Sequence, residues 1–392
     1  MASPDCERAI EDATRFGSAL LKFISPNDVG LTGGHQYGYY IPKSDEVWPI
    51  FTSQKPQKGV NDTHPIRITW QTGRVTDSNV KWYGVGTRSE YRITGFGKDF
   101  PFISHEAVGD LLVLVPEIAQ NEFRGYVLDL EDDIEEITSQ LGISPAKNWA
   151  LYIRDSDKLE SEDECVERNF KAFVKPIEEF PTGEVFSSET WRILEECIKS
   201  FGKWSADKAM VQCMATEFNM FKYVERQLCQ DALVRAYKDV DDFIATAQTM
   251  LQRRKSRAGR SLENHVEHYL TAAGIPHKMR PKIGGKPDVV IPSEEAYRDA
   301  KFPDEKLFLV AVKTTCKDRW PQVLKEGKRV PLKHLLTFQK GMAISQLQEM
   351  KESNVQLVVP EPLHDRYPSE KKSGVKILTV QQFIDAVKKR LN

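Results

Sequence analysis

The segments Lys286-Pro-Asp-Val-Val-Ile-Pro292 and Phe308-Leu-Val-Ala-Val-Lys-Thr-Thr-Cys-Lys-Asp-Arg-Trp320 decide how this chain is read. Each contains a short apolar run of the kind that forms a buried strand. Each also has a charged side chain at the polar end of that run, Asp288 before Val289 and Lys313 after Val312. A lysine that ends an apolar strand loses hydration unless a site uses it. Phosphodiester hydrolysis needs a carboxylate that holds Mg²⁺ against the phosphate and a cation that orients or activates water beside it. The pair therefore points to a metal-dependent nuclease on an α/β core.

The commonest form of such a site carries a second acid two residues before the lysine, and here that place is Ala311. Another ligand is expected from downstream, and Glu326 in Leu324-Lys-Glu-Gly327 is the candidate. Upstream, Ser261 to Ala273 reads as a helix with Leu262, Val266, Tyr269 and Ala273 on one face, ending at Gly274. Glu263 and Glu267, four apart, share its polar side, and either is a candidate active-site acid. Strands are expected at 287–292, 307–315 and 355–360, with helices near 340–353 and 379–391. This order predicts a central mixed sheet flanked by helices.

Before residue 180 the pattern differs. Tyr37–Ile41, Ile66–Trp70, Val80–Tyr83 and Leu111–Val115 are β-rich runs separated by Gly, Pro, Asn and Asp turns, which predicts a mainly β barrel or sandwich. Two domains are expected, 1–175 and 188–392, joined by a linker at 176–187. The net charge of −2 hides an asymmetry: residues 251–340 hold 20 Lys and Arg against 10 Asp and Glu, a local excess of +10. Such an excess suits phosphate neutralisation, and double-stranded DNA is the expected partner. The six cysteines show no zinc-ligand spacing and read as free thiols. No apolar run of membrane-spanning length and no signal peptide is visible, so a cytoplasmic protein is expected.

The stretches Arg254–Glu263, Lys286–Asp288, Val312–Trp320 and Val358–His364 resemble the catalytic domain of EcoRII-type restriction endonucleases, type IIE members of the PD-(D/E)XK nuclease superfamily. Asn27–Pro42 and Thr87–Thr94 resemble the effector-binding domain of the same family, so the likeness spans most of the chain. The resemblance implies an active site of Glu263, Asp288, Lys313 and Glu326, with Asp288 and Glu326 holding Mg²⁺ and water as nucleophile. It implies that Lys317, Asp318 and Arg319 read bases in the major groove, a donor and acceptor set suited to C·G pairs. Tyr297 would stand by a flipped central base, although the arginine that usually accompanies it is replaced near Met214. For the amino-terminal domain the resemblance implies a DNA-binding pseudobarrel that contacts an effector site through His35, Tyr40, Arg88, Glu90 and Arg92. This sequence departs from the family at Gly86, where a lysine is expected, and at Tyr91, where a basic residue is expected.

The resulting expectation is a prokaryotic, Mg²⁺-dependent type II restriction endonuclease. It would cut double-stranded DNA at a CC(A/T)GG-like site as a homodimer, within a restriction-modification system that includes a methyltransferase. Its amino-terminal domain would bind a second site and relieve autoinhibition. Two other readings are a catalytically dead DNA-binding regulator and a repair or structure-specific nuclease. The intact acid and lysine positions argue against the first, and the Lys317–Arg319 cluster argues against the second.

Overall fold

Helix α1 (Pro4–Phe16) begins where Ser3 accepts a hydrogen bond from the Cys6 amide, with Pro4 in its first turn, and ends at left-handed Gly17. A computed structural model describes residues 2–32, 37–52, 57–86, 89–117, 121–143, 148–154 and 164–391 of the protein. After α1 come β1 (Ser18–Phe23), β2 (Tyr39–Ile41), β3 (Asp62–Trp70), β4 (Val75–Tyr83), β5 (Glu90–Thr94), β6 (Leu111–Pro116) and β7 (Glu122–Leu128). Helix α2 (Glu131–Gln140) and β8 (Trp149–Ile153) complete this half. The strands form one eight-stranded sheet in the order β2-β5-β4-β3-β7-β6-β1-β8, antiparallel except for the β3–β7 pair.

Strands β3 and β4 alternate between burial and exposure over much of their length, whereas β1 and β6 are buried almost throughout. Coverage explains the difference. Ala9 and Ala13 of α1 and Ile134 and Ile137 of α2 pack on β1, β6 and β7, and the opposite face carries an aromatic core with Tyr39, Trp70, Trp82, Tyr91 and Phe96.

The second half opens with four helices, α3 (Glu164–Val174), α4 (Gly183–Cys197), α5 (Ala206–Val234) and α6 (Val240–Ala272). It continues through β9 (Lys278–Met279), β10 (Val289–Ile291), α7 (Glu294–Arg298), β11 (Phe308–Lys313) and β12 (Lys333–Thr337). It ends with α8 (Ile344–Glu352), β13 (Val355–Val358), α9 (Glu370–Ser373) and α10 (Val380–Leu391). The sheet runs β13-β12-β11-β10-β9; β11, β12 and β13 are parallel, and β9 and β10 pair antiparallel. Met210, Met214, Leu262 and Val266 of α5 and α6 share its core with Phe383, Ile384 and Val387 of α10. The mixed, helix-flanked sheet agrees with the sequence reading.

Three details differ from that reading. The helix expected to start at Ser261 is continuous from Val240, because Ser256 and Ser261 are interior residues of α6 and not its cap. Helix α4 starts at Gly183, inside the expected linker, where Thr182 accepts from the Val185 amide. Helix α3 packs on α4 and α5 through Phe170, Val174, Phe186 and Phe221, so by contact it sits with the second half. The reading of all six cysteines as free thiols is also corrected. Packing of α3 beside α4 brings Cys165 and Cys197 to a Cα separation of 5.6 Å as a disulfide, while Cys6, Cys213, Cys229 and Cys316 are free and buried. Among the described residues no helix is long and apolar enough to cross a membrane.

Candidate active site

Antiparallel pairing of β10 with β11 puts Val289 opposite Val310, so Asp288, just before β10, comes level with Ala311 and the end of β11. Asp288 Oδ2 accepts from the Val312 amide at 2.7 Å and from Lys313 Nζ at 2.9 Å. The lysine follows five buried residues of β11, and its side chain is 40% exposed at the open end of the strand. The two charged groups singled out in the sequence therefore form an ion pair at the ends of two interior strands, with the lysine partly open to solvent.

Glu326 follows the 3-10 turn Trp320–Lys325 and is buried. Burial, and then the neighbouring Asp288 carboxylate, push its carboxyl up to about 7, against the pull of Lys313 and Lys333. Its approach to Asp288 depends on Gly285, whose φ is +84°. A Cβ there would lie 2.4 Å from the Glu326 Cα and from the Lys325 carbonyl oxygen. The Gly327 amide donates to the Gly284 carbonyl at 2.8 Å, which fastens the two loops together. Sequence reading missed these glycines, although Gly284-Gly285 immediately before Lys286-Pro-Asp288 was the available signal.

Glu263 projects from α6 and pairs with Arg280 at 2.7 Å. The Arg280 amide donates to the Asp288 carbonyl at 2.7 Å, so this one residue links the helix acid to the strand acid. Glu267, one turn further along, is exposed. Among the described residues no group of three or more His, Cys, Asp or Glu side chains converges as a metal cluster. Asp288 and Glu326 are nevertheless neighbouring carboxylates, and after burial it is the Asp288 charge that raises Glu326. Such a donor set fits a hard divalent ion completed by water and phosphate oxygens.

The base-reading candidates lie against the amino-terminal half. Lys317 Nζ is paired with Asp110 and donates to the Glu106 carbonyl at 3.1 Å. Glu131, fully buried, accepts from the Asp318 and Arg319 amides at 3.1 Å each, from Arg319 Nε at 3.0 Å and from the Thr315 hydroxyl at 3.1 Å. In return the Asp318 carboxylate accepts from the Glu131 amide at 3.3 Å. This contact serves the start of α2, where Leu130 supplies no side-chain cap. Burial, and next the Asp318 carboxyl, raise the Glu131 pKa. Further along the same seam, Lys255 of α6 pairs with Glu136 of α2.

Tyr297 is half-buried in a small cluster with Val290, Leu309 and Val330, and its hydroxyl accepts from the Arg329 amide at 3.4 Å. Met214, where the family arginine is absent, is a core residue. His35 and Arg88 lie outside the described residues. Tyr40 faces Arg92 across the β2–β5 pairing. Arg92 is buried, donating to the Gly38 carbonyl at 3.1 Å and pairing with Glu90 at 3.4 Å.

The family model for the amino-terminal domain of restriction endonuclease EcoRII matches residues 13–154, and the model described as EcoRII C terminal matches residues 221–384. The chain is 32% identical over 387 residues to the type II restriction enzyme EcoRII of Escherichia coli, covering 93% of this chain and 92% of that enzyme. It is 28% identical over 148 residues to the type II restriction enzyme SsoII of Shigella sonnei, covering 34% of this chain and 46% of that one. Among solved structures, metal-depleted Ecl18kI in complex with uncleaved, modified DNA overlaps with a TM-score of 0.45 at 19% identity, over 56% of this chain and 83% of that chain. On the strength of the near full-length match, the chain belongs to the EcoRII family of type II restriction enzymes and is a site-specific deoxyribonuclease.

Proposed function

We propose that the protein hydrolyses both strands of a CC(A/T)GG-like sequence in a Mg²⁺-dependent reaction, and that its amino-terminal half restrains cleavage until it binds a second copy of the site. The observation that carries the catalytic part is the Asp288–Lys313 ion pair at the ends of β10 and β11 beside the raised carboxyl of Glu326. Asp288 and Glu326 would hold the ion, which when bound would supply Lewis-acid stabilisation of charge on the phosphate. Lys313 places its ammonium where the attacking water and the phosphate oxygens meet, and Glu263 closes the acidic side.

Lys317, Asp318 and Arg319 are the base-reading side chains in this proposal, with Tyr297 beside the central base pair. The closed state is supported by the acids that engage them: Asp110 and Glu131 occupy the donors that guanine O6 and N7 would otherwise accept from. Effector DNA binds through His35, Tyr40, Arg88 and Glu90 on a pseudobarrel, with buried Arg92 holding Glu90 in place. Support for that shape comes from the edge strands, since Tyr39 and Ile41 of β2 and Trp149 and Leu151 of β8 meet one core. A homodimer brings one active site to each strand of the near-palindrome, and a methyltransferase protects host sites.

The test is incubation of phage DNA with Mg²⁺ and short duplexes carrying the candidate site, comparing the protein with Lys313→Ala. Discrete fragments from the wild type alone are expected, with the variant slower by on the order of 10³-fold. A smear indicates a nuclease without sequence preference, no cutting indicates a binding regulator, and equal cutting by the variant removes Lys313 from the site.

A further inference from the structure

Arg280 touches two acids of the site. Its amide is held by the Asp288 carbonyl, and its guanidinium Nε and Nη2 each lie 2.7 Å from Glu263 Oε2. Its backbone is left-handed, with φ of 45°, a conformation that non-glycine residues adopt sparingly and that collects at functional sites. The arginine side chain is 49% exposed, so the guanidinium lies at the open rim of the site and part of its donor fork faces outward.

The charges give this placement a purpose. Lys313 is paired with Asp288 and Arg280 with Glu263, so each cation neutralises one acid before any ligand arrives. With Asp288 and Glu263 already matched by two cations, two of the site's three carboxylates attract a dication weakly. They hold one well only if a cation moves to another anion at the same moment, and in a DNA-cleaving site the anion that arrives is a backbone phosphate. Arg280 is suited to that move: it sits on the rim, it is half exposed, and its planar fork matches phosphate as well as carboxylate.

We propose that Arg280 is a phosphate-binding residue of the cleavage site, parked on Glu263 in the metal-free enzyme and transferred to a backbone phosphate of bound DNA. The claim rests on the assignment of Glu263 and Asp288 to the active site. It couples two events: phosphate capture by Arg280 frees Glu263, and occupation of Glu263 frees Arg280. No bond is made or broken in the exchange.

The full-length protein, Arg280→Gln and Arg280→Lys are compared by two measurements, with thermal melting to confirm folding. In calorimetric titration of the DNA-free protein with Mn²⁺, removing the parked cation in Arg280→Gln tightens binding several-fold, and Arg280→Lys stays near wild type. In cleavage of two-site DNA, the salt dependence of kcat/KM loses about one unit of log-log slope in Arg280→Gln and regains it in Arg280→Lys, as loss of one phosphate contact requires. An unchanged slope in Arg280→Gln, or Mn²⁺ binding that weakens or stays the same, overturns the proposal and leaves Arg280 a prop between α6 and β9. Lys313→Ala serves as the separate control. If that variant cuts normally, the site assignment has failed, whereas an inactive Lys313→Ala beside an unchanged Arg280→Gln slope rejects the Arg280 role alone.

Discussion

Lys313 leaves the sheet where five apolar residues give way to solvent, and that position was legible in the sequence because hydration makes a lysine there costly. The separation of Asp288 from Lys313 in sequence disappears once β10 and β11 pair antiparallel, which the two apolar runs already suggested. Glu326 was expected from downstream because Ala311 left a vacancy, and it lies beside Asp288. Arg280 was not legible, since its value depends on left-handed backbone, and the Gly284-Gly285 pair signals a close approach without saying which loop it meets. At this scale Glu326→Gln is expected to lower cleavage by on the order of 10²-fold or more through loss of a metal-binding oxygen. Binding of a cognate duplex in EDTA should be retained, as a gel-shift experiment at fixed salt can measure. Normal cleavage by this variant removes Glu326 from the site.

Elements were legible where pattern and packing agree. Strands β10, β11 and β13 and helices α8 and α10 lie close to the expected spans, because each is a short apolar run or an amphipathic stripe on one core. Strand β12 was missed: its buried Lys333 breaks the apolar signature, and only the fold shows Nζ donating to the Gly327 carbonyl at 2.5 Å. The Cys165–Cys197 pairing depends on α3 lying against α4, which sequence spacing does not reveal. Helices α4, α5 and α6 are joined by a buried polar knot on Glu217. Its carboxylate accepts from Ser187 Oγ at 2.8 Å and lies 3.1 Å from both Arg257 Nη1 and His265 Nε2. Burial raises its pKa, but His265, Arg257 and Ser187 together hold it below the ordinary glutamate value. Arg257→Met leaves that acid with its cation removed. The variant is expected to lose about 3–5 kcal/mol of stability, as breaking a buried pair does, in urea unfolding. A loss near zero would mean that the knot is hydrated.

Across the whole molecule, the charge asymmetry visible in the sequence has a physical counterpart at the seam between the halves. Basic residues of the 251–340 stretch meet Asp110, Glu131 and Glu136 from the amino-terminal half. The basic stretch was legible; its acidic partners, 119 to 207 residues away along the chain, were not. Burial pushes the Asp110 carboxyl up to about 7, against the pull of Lys317. A carboxyl raised on folding adds stability that is complete below its unfolded pKa and fades as pH rises through the folded value. The contact between the halves is therefore expected to lose stability steadily between about pH 4 and 7. The difference in urea midpoint between wild type and Asp110→Asn should follow that window, and a flat difference would contradict it. Glu131 provides the more direct test, because its carboxylate holds the backbone of Asp318 and Arg319 and the side chain of Arg319 at once. Removing charge-assisted hydrogen bonds worth about 1.5–3 kcal/mol each should favour the open state by ten-fold or more. The decisive measurement is the rate at which full-length Glu131→Ala cuts DNA bearing a single recognition site, with no effector duplex added. The predicted result is cleavage about ten-fold or more faster than wild type, at the same sites and still abolished by Lys313→Ala. A folded Glu131→Ala protein that cuts single-site DNA no faster than wild type would contradict the account.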